Sequence, residues 1–518
     1  MVGAKNDIKQ GENKALTLTK RLIIVSLFLF IGGRASLGEE GLLINADSVS
    51  YEKEKNLVEA SGNVVATYKD LRVDAEHLIY NTKDRTVFAD RGFILEIPEE
   101  RFKGQKLEYN IDTKRGTAEE VRLEFRNIFI SGKKVILSTE EVIMTDASFS
   151  SCDLLRPHYH ISASSITLYP QIGWIVAYMG FFWIDRFPVL PVPTYIYDLG
   201  PRGDRRNIAP VPEIGKNDVD GWYGIERLAW HRSSNMYGRL NFIVTEKKGG
   251  GAGIDGNYIM DEQNEFYFRA GALEKDGSFG GLTYTYSFGP RLKLSEEELK
   301  IYDIFNLPRR RLYEFEIDLS SRERINYERV TFLPDLTLRL TKANLFNEDF
   351  VAKGEVGYGY VQEESTEAKR YRSRIKLNFT QGIDLKRYGI LTLGVSPDYK
   401  WYESSEIWQM ITGDIDLKKK WSPIFETSVG YMHYLMYEGT TPFAFEAYYF
   451  RPDDEFRERA SFKMGESSFS ISAAHYMPGW YPKDVDYTLK LAQHCYDIIL
   501  TYRGMRQEFS IGTSLISR

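Results

Sequence analysis

Few residues in this chain combine a reactive side chain with a spacing that suits chemistry. Cys152 is followed by His158 and His160, and thiol and imidazole groups are common zinc ligands. Two histidines and one cysteine lack a convincing fourth ligand, so we expect no metal site. The glycine-rich run 249–253 precedes no helix that would direct amides at a phosphate. A Gly-x-Ser-x-Gly nucleophile elbow is also missing from the sequence. We therefore expect neither an enzyme nor a cofactor.

Composition favours a β-rich protein. The chain has 518 residues with a formal net charge of -6, and 14% of its residues are aromatic. This aromatic content excludes a disordered chain, and the near-neutral balance argues against nucleic-acid binding. The 34 Tyr and 42 Gly are typical of strands joined by many turns. Composition alone does not distinguish a soluble sandwich from an outer-membrane barrel.

The first 38 residues are predicted to be a secretory signal peptide. Lys20 and Arg21 precede an apolar stretch, 22–33, and Ser36-Leu37-Gly38 offers a small-residue cleavage site. The apolar stretch is too short for a bilayer anchor. An exported chain with no later apolar helix is expected in the periplasm, in the medium, or in the outer membrane as a β-barrel.

Within a predicted N-terminal domain, 39–185, residues 44–185 contain a weak repeat with a period of about 29 residues. The starts Ala46-Asp47-Ser48-Val49-Ser50-Tyr51 and Ala75-Glu76-His77-Leu78-Ile79-Tyr80 show it best. Period-two alternation places the apolar residues of each start on one face of a sheet. The lining predicted in this way comprises Val49, Tyr51, Leu78, Tyr80, Leu107, Tyr109, Val135, Leu137, Ile166 and Leu168.

Two interpretations of this apolar lining compete. Stacked units of this kind form a β-solenoid or an open jelly roll. The lining is then either a closed, packed core or an open V-shaped slot that accepts the acyl chains of a lipid. The residues alone favour the closed core.

Residues 207–518 show a different pattern, and a Pro-rich connector, 186–206, is predicted before them. Segments of about ten residues alternate apolar and polar positions, as a transmembrane β-barrel requires. In one of them Leu240 and Phe242 alternate with Arg239 and Asn241. We predict an antiparallel barrel of about 18–20 strands. The soluble alternative is a series of sandwiches, but the sequence shows no linkers that would divide them.

The order of these features resembles the family of LPS-assembly outer-membrane proteins, LptD or OstA. The first repeat, Ala46–Tyr51 followed by Ala60-Ser61-Gly62-Asn63-Val64, is similar to the OstA-type motif. The segment Phe187-Pro188-Val189-Leu190-Pro191 and the later Asn207-Ile208-Ala209-Pro210 are similar to the family's entry into its barrel. The resemblance is clearest over residues 42–245. It implies a periplasmic OstA-like β-jelly-roll or solenoid domain followed by an outer-membrane barrel.

The resemblance also implies a function and partners. The N-terminal domain would receive lipopolysaccharide from a periplasmic bridge protein of similar β-fold, and the lining would then be a lipid slot. The lipid would leave through a lateral gate into the outer leaflet. A lipoprotein that plugs the barrel is a further possible partner. Two alternatives remain: an outer-membrane porin or receptor with a periplasmic domain, and a soluble periplasmic β-protein.

In this family, disulfides join the N-terminal domain to cysteines near the end of the barrel. Cys152 and Cys495, in His494-Cys495-Tyr496, fall at similar places. The resemblance therefore implies a Cys152–Cys495 disulfide. The alternative is a pair of unrelated buried thiols.

The gate is predicted at the seam between a first strand around 208–215 and a last strand around 508–516. Two prolines in the first strand lack the N–H donors that a neighbouring strand needs. Three placements are open. The side of the strand that lacks these N–H groups could face the last strand, or it could face the second strand. Alternatively, the prolines could precede the barrel as part of a linker. The predicted gate residues are Pro210, Pro212, Phe509 and Ile511.

Overall fold

The computed structural model describes residues 42–98, 100–154, 156–199, 209–292, 311–346, 349–448 and 450–516. The predicted signal peptide lies outside these residues. Within the described ranges, no helix has the length and apolarity needed to cross a membrane. The regular structure there consists of strands and one short 3₁₀ helix, Lys386–Tyr388, so the predicted all-β class is confirmed.

The N-terminal region forms a 14-stranded antiparallel sheet. Its strands are β1 (Leu43–Asn45), β2 (Ser48–Glu52), β3 (Leu57–Tyr68), β4 (Leu71–Asn81), β5 (Thr86–Ala89), β6 (Phe93–Ile97), β7 (Glu100–Gly104), β8 (Lys106–Asn110), β9 (Arg115–Phe125), β10 (Ile128–Leu137), β11 (Val142–Ser150), β12 (Tyr159–Tyr169), β13 (Trp174–Ile184) and β14 (Phe187–Asp198).

The turns of this sheet reproduce the sequence repeat. Asn56, Arg85 and Lys114 all have a positive φ, at 57°, 56° and 53°, and they recur at the repeat spacing. The carbonyl of Asn56 accepts a hydrogen bond from the Thr82 N–H at 2.9 Å, and that of Arg85 accepts one from Ile111 at 3.0 Å. Each turn is therefore tied to the next by the same bond, which confirms that the repeat is structural.

The strand pairing is that of a meander, and a jelly roll is not observed. Within the described part of this region, most strands pair with their sequence neighbours, whereas a jelly roll consists of two Greek keys. Six strands also close into a ring of pairings, β4-β5-β8-β9-β7-β6, a small second barrel. The ring forms because β4 and β9 each pair with two short strands. The breaks between those short strands fall near Gly92, which has φ 87°, and Gln105.

The predicted Pro-rich connector is partly wrong. Strand β14 carries Pro188, Pro191 and Pro193 and pairs with β13, so the sheet extends to Asp198. Proline is tolerated there because β14 is an edge strand, which leaves one side of the backbone without ladder bonds. Most of the predicted linker is therefore the edge strand of the sheet.

The C-terminal region is a closed antiparallel barrel of 18 strands, as predicted. Its strands are β15 (Glu213–Asn217), β16 (Gly221–Ser233), β17 (Met236–Thr245), β18 (Gly249–Ile259), β19 (Asn264–Leu273), β20 (Gly277–Arg291), β21 (Arg311–Ile325), β22 (Glu328–Asn344), β23 (Phe350–Glu363), β24 (Lys369–Asp384), β25 (Ile390–Tyr402), β26 (Ile407–Ser422), β27 (Phe425–Gly439), β28 (Asp454–Met464), β29 (Ser467–Met477), β30 (Tyr481–Ala492), β31 (Tyr496–Arg503) and β32 (Glu508–Leu515).

The two faces of the barrel wall differ in polarity. Leu240 and Phe242 are exposed on the outside of β17. The alternating residues Arg239 and Asn241 point inward and donate hydrogen bonds to the carboxylate of Asp255 at 3.1 and 2.7 Å. Further ion pairs line the inside, such as Arg374 with Asp335 at 2.8 Å. An apolar exterior around a polar interior is the architecture of an outer-membrane barrel.

Candidate functional site

The predicted lining residues lie on two in-register rows that cross the N-terminal sheet. The first row runs from Val49 through Ala60, Leu78, Ala89, Leu107, Ala118, Val135 and Met144 to Ile166. The second runs from Tyr51 through Val58, Tyr80, Val87, Tyr109, Gly116, Leu137 and Val142 to Leu168. Period-two alternation therefore identified a continuous apolar stripe.

Most of this stripe is covered in the structure. Leu78 is 0% exposed and Leu107 is 3% exposed, and the later members of both rows belong to the same buried cluster. Val49 and Tyr51 differ, because each is 51% exposed on the outlying strand β2. The expectation of an open slot is thus not met by this conformation, which shows the closed core that the residues alone favoured.

At their other end, the two rows continue onto β13 and β14 and reach Tyr195 and Tyr197. Strand β14 packs against β16 of the barrel. The buried cluster that contains the rows also includes Ala209 and Leu515. The apolar stripe therefore leads from an exposed edge strand to the part of the barrel where its first and last strands meet.

The barrel closes at a short seam between β15 and β32. Only three residue pairs join these strands: Ile214 with Ile511, Gly215 with Ser510, and Lys216 with Phe509. By comparison, ten pairs join β17 to β18. The predicted gate residues Phe509 and Ile511 therefore lie in the seam itself.

Pro210 and Pro212 precede β15. This agrees with the third sequence-based alternative, in which the prolines lie before the barrel. The seam register, continued backwards, would place them opposite Leu515 and Thr513 of β32. Since proline has no N–H to donate, the ladder cannot extend there. Next to this point, a Cβ atom at Gly512 would have no atom within 4 Å. The prolines thus lie outside the first strand but limit the length of the seam.

The β21–β22 hairpin reaches across the barrel interior to both sides of the seam. The Tyr327 hydroxyl donates to Glu508 at the start of β32 at 2.5 Å. Arg324 donates to Asp220, in the turn that follows β15, at 2.9 Å. We call Arg324 and Tyr327 the latch. A cavity of about 240 Å³ lies beneath it, lined by seam and latch residues that include Lys216, Tyr223, Tyr327, Glu508 and Ser510.

The β27–β28 connection folds over the inner wall at the same end of the barrel. The buried carboxylate of Glu363 accepts hydrogen bonds from the N–H groups of Ala444 and Phe445, both at 2.7 Å. Arg372 pairs with Glu446 at 2.7 Å, and the Phe443 and Phe445 rings pack into a small apolar cluster. The chain therefore supplies an internal cover for part of its own lumen.

At the opposite end, the N-terminal sheet is bonded to the barrel's last strands. The Ser151 hydroxyl donates to the carbonyl of Ile516, and the N–H of Ile516 donates to the carbonyl of Cys495 at 3.1 Å. Tyr159 contacts the Ser151 hydroxyl at 2.7 Å. Burial raises the pKa of Tyr159, so it keeps the proton that it donates to Ser151.

Cys152 and Cys495 meet at this junction, but no disulfide bond joins their sulfurs. His158 and His494 complete the group, and the four ligand atoms lie within 4.8 Å of one another. The expected absence of a metal site rested on a missing fourth ligand, and His494 supplies one. His160, which lies near His158 in the sequence, is outside the group and stacks on Trp183 at 5.5 Å. Each cysteine has a histidine nearby in sequence, which is the signal that could have revealed the group.

No family model matches this chain, but curated proteins do. The LPS-assembly protein LptD of Neisseria meningitidis serogroup A is 25% identical over 190 residues, covering 35% of this chain and 23% of that protein. The LptD of Aliivibrio fischeri is 23% identical over 279 residues, covering 51% of this chain and 35% of that protein. This chain is similar to LptD. Six curated proteins match, all with that name, which confirms the resemblance found in the sequence motifs.

The chain spans about a third or less of the length of these relatives. Among solved structures, OmpT, an outer-membrane protein of Vibrio cholerae, aligns with a TM-score of 0.28 and 8% identity over 59% of this chain and 94% of that one. The P pilus usher (PapC) translocation pore aligns with a TM-score of 0.24 and 8% identity over 90% and 97%. Both superpositions are weak, whereas the strand pairing of this chain defines the barrel directly.

Proposed function

We propose that this protein is an outer-membrane translocon for lipopolysaccharide. The observation that carries the proposal is the continuity of the apolar stripe, which begins at an exposed edge and ends beside the barrel's shortest strand pairing. The LptD relatives support lipopolysaccharide as the cargo. The N-terminal sheet would lie in the periplasm, and the latch end of the barrel would face the cell exterior.

Acyl chains would enter at Val49 and Tyr51 and pass along the two rows while the sugars stay in water. Each buried CH₂ contributes about 0.8 kcal/mol, so several chains would bind strongly enough to displace core contacts and open the sheet. Because the bound lipid is held this strongly, its movement requires work supplied from upstream. The chain itself would act as a passive conduit without catalytic activity.

The bridge partner would dock at the N-terminal edge of the sheet. Strands β1 and β2 each pair with β3, and their outer edges are not paired within the described residues. An exposed edge can accept a strand from a partner of similar β-fold. Exposed Leu43, Val49 and Tyr51 would supply apolar contacts for that partner.

The exit would be the β15–β32 seam. A backbone hydrogen bond contributes about 1 kcal/mol net in typical cases, so opening three residue pairs costs far less than opening ten. The latch bonds on either side would have to break as well. A lipoprotein partner in the lumen could occupy the space that the β27–β28 connection leaves.

Site-specific photocrosslinking in living cells tests this proposal. A photoreactive amino acid at Tyr51 or Leu107 should form adducts with lipopolysaccharide, because both positions lie on the stripe. Ile136 is the matched control, since it lies on the outer face of β10 and is 55% exposed. Adducts at Ile136 as abundant as those at Tyr51, or none at Tyr51 and Leu107, would contradict the proposal and favour a porin or receptor.

A further inference from the structure

Two cysteines and two histidines converge where the N-terminal sheet meets the barrel. Cys152 and His158 lie in the connection between β11 and β12, and His494 and Cys495 lie in the turn between β30 and β31. The Sγ of Cys152 is 3.7 Å from Nδ1 of His158 and 3.5 Å from Nδ1 of His494. The Sγ of Cys495 is 3.6 Å from Nδ1 of His158.

These separations match the edges of a tetrahedral zinc site. With Zn–S near 2.3 Å and Zn–N near 2.0–2.1 Å, tetrahedral angles place sulfur and nitrogen about 3.5 Å apart. A disulfide would instead require sulfurs about 2.05 Å apart, and it would give the two imidazole nitrogens no reason to face them. The described geometry is thus that of four ligands around one point.

The surroundings of the four ligands also suit a metal. Both cysteines are buried, at 2% and 1% exposure, while both histidines are exposed. The Nε2 of His494 lies 3.2 Å from a carboxylate oxygen of Asp153, and its Nδ1 faces the cluster. A carboxylate on the distal nitrogen of an imidazole is the usual outer-shell partner of a metal-bound histidine.

We propose that Cys152, His158, His494 and Cys495 form a structural Zn²⁺ site that clips the N-terminal sheet to the end of the barrel. Two thiolates and two imidazoles are a ligand set that favours zinc over magnesium or calcium. Four protein ligands leave no open position for catalysis. On binding, both thiols lose their protons to solvent, and the sulfurs keep their oxidation state.

The site would fix the apolar stripe against the seam. Cys495 holds Ile516 through its carbonyl, and Ile516 directly follows β32. A metal that joins Cys152 to Cys495 therefore holds the end of the sheet next to the last barrel strand. This role is independent of the cargo, so failure of the translocation proposal would leave it standing.

The test is the zinc content of the full chain, purified in detergent without chelator or reductant and measured by mass spectrometry. We expect about one zinc per chain, as for a closed four-ligand site. H158Q and H494Q should each lower this value strongly, whereas H160Q, the matched control outside the cluster, should not. Replacement of the zinc by Co²⁺ should give the visible absorption of a tetrahedral thiolate site, with wild-type intensity in H160Q only.

Folding is checked separately by the heat-modifiable gel mobility of each barrel, so loss of zinc in a folded H494Q variant supports the site. Peptide mapping of the unreduced chain shows whether Cys152 and Cys495 are joined by a disulfide. A chain isolated from zinc-replete cells that carries a Cys152–Cys495 disulfide and no stoichiometric zinc would overturn the proposal. Rapid alkylation of both thiols in zinc-loaded wild-type chain would overturn it as well.

Discussion

The two regions of this molecule place their apolar surfaces on opposite sides. The N-terminal sheet buries its apolar rows and exposes its charges, whereas the barrel exposes its apolar face and holds its ion pairs inside. A lipid carried along the inner rows of the sheet can therefore reach the apolar outside of the barrel only through the barrel wall. The short β15–β32 seam lies where the two arrangements meet.

The largest effect is expected from a charge placed among the buried apolar rows of the N-terminal sheet. Val135→Asp places a charge in the core, where Val135 is 1% exposed, and should destabilise the N-terminal sheet by roughly 3–5 kcal/mol. The adjacent Ile136→Asp, on the outer face, should change stability by less than about 1 kcal/mol. Limited proteolysis of the full chain in detergent measures both, and equal sensitivity would show that the row is not a core.

The burial of the lining residues decides which of them best tests lipid passage. Leu78 and Leu107 are both buried, so Asp at either position would unfold the sheet as well as block the lipid. Tyr51→Asp is the sharper variant, since its side chain is half exposed. We expect it to leave the sheet folded and to reduce lipopolysaccharide at the cell surface.

The second largest effect is expected from a charge placed on the apolar outer face of the barrel. Leu240→Arg places a charge on the outer face of β17 and should cost roughly 2–4 kcal/mol at the bilayer midplane. Asn241→Arg turns inward beside Asp255 and should be tolerated. Urea unfolding in lipid vesicles compares the two variants, and a greater loss in the Asn241 variant would reverse the assignment of faces.

The rows and the strand number could be predicted from the sequence because both depend on local alternation along the chain. Features made by contacts between distant segments were harder to predict. The β14 edge was missed because its prolines fit a linker equally well until pairing with β13 is known. The latch depends on barrel closure, which brings Tyr327 to Glu508, and no local pattern encodes that contact. The resemblance placed Cys152 near Cys495, but it gave no role to His158 and His494.

A smaller effect should follow from loosening the latch. Tyr327→Phe removes the hydrogen bond to Glu508, and bonds to charged groups contribute about 1.5–3 kcal/mol. Hydrogen exchange in β32 should therefore become faster. Tyr313→Phe, on the outer face of β21, serves as the control and should leave this exchange unchanged. Unchanged exchange in the Tyr327 variant would mean that the latch does not restrain the seam.

The smallest effect concerns pH in the N-terminal sheet. The hydrogen bonds from His77 to Glu59 and Asp90 raise the pKa of His77, against burial and the nearby Arg91. The stabilisation is complete below the unfolded pKa of about 6.5 and is lost as pH rises through the folded pKa. The hydrogen-exchange protection factors of β3 and β4, which are corrected for the intrinsic pH dependence of exchange, should thus fall slightly from pH 6 to pH 8.5, and His77→Gln should remove this fall. A pH response that persists in the variant would assign it to another group.

The central claim is that the lipid leaves through the β15–β32 seam, and a reversible lock across the seam tests it most directly. Ile214 and Ile511 are register partners, so cysteines at both positions can form a disulfide. Ile225 and Ile243, partners across β16 and β17, provide a matched lock away from the seam. We predict that the oxidised seam pair stops lipopolysaccharide from reaching the cell surface and that reduction restores it, while the oxidised control pair has no effect. Normal surface lipopolysaccharide with a fully oxidised seam pair would contradict the account.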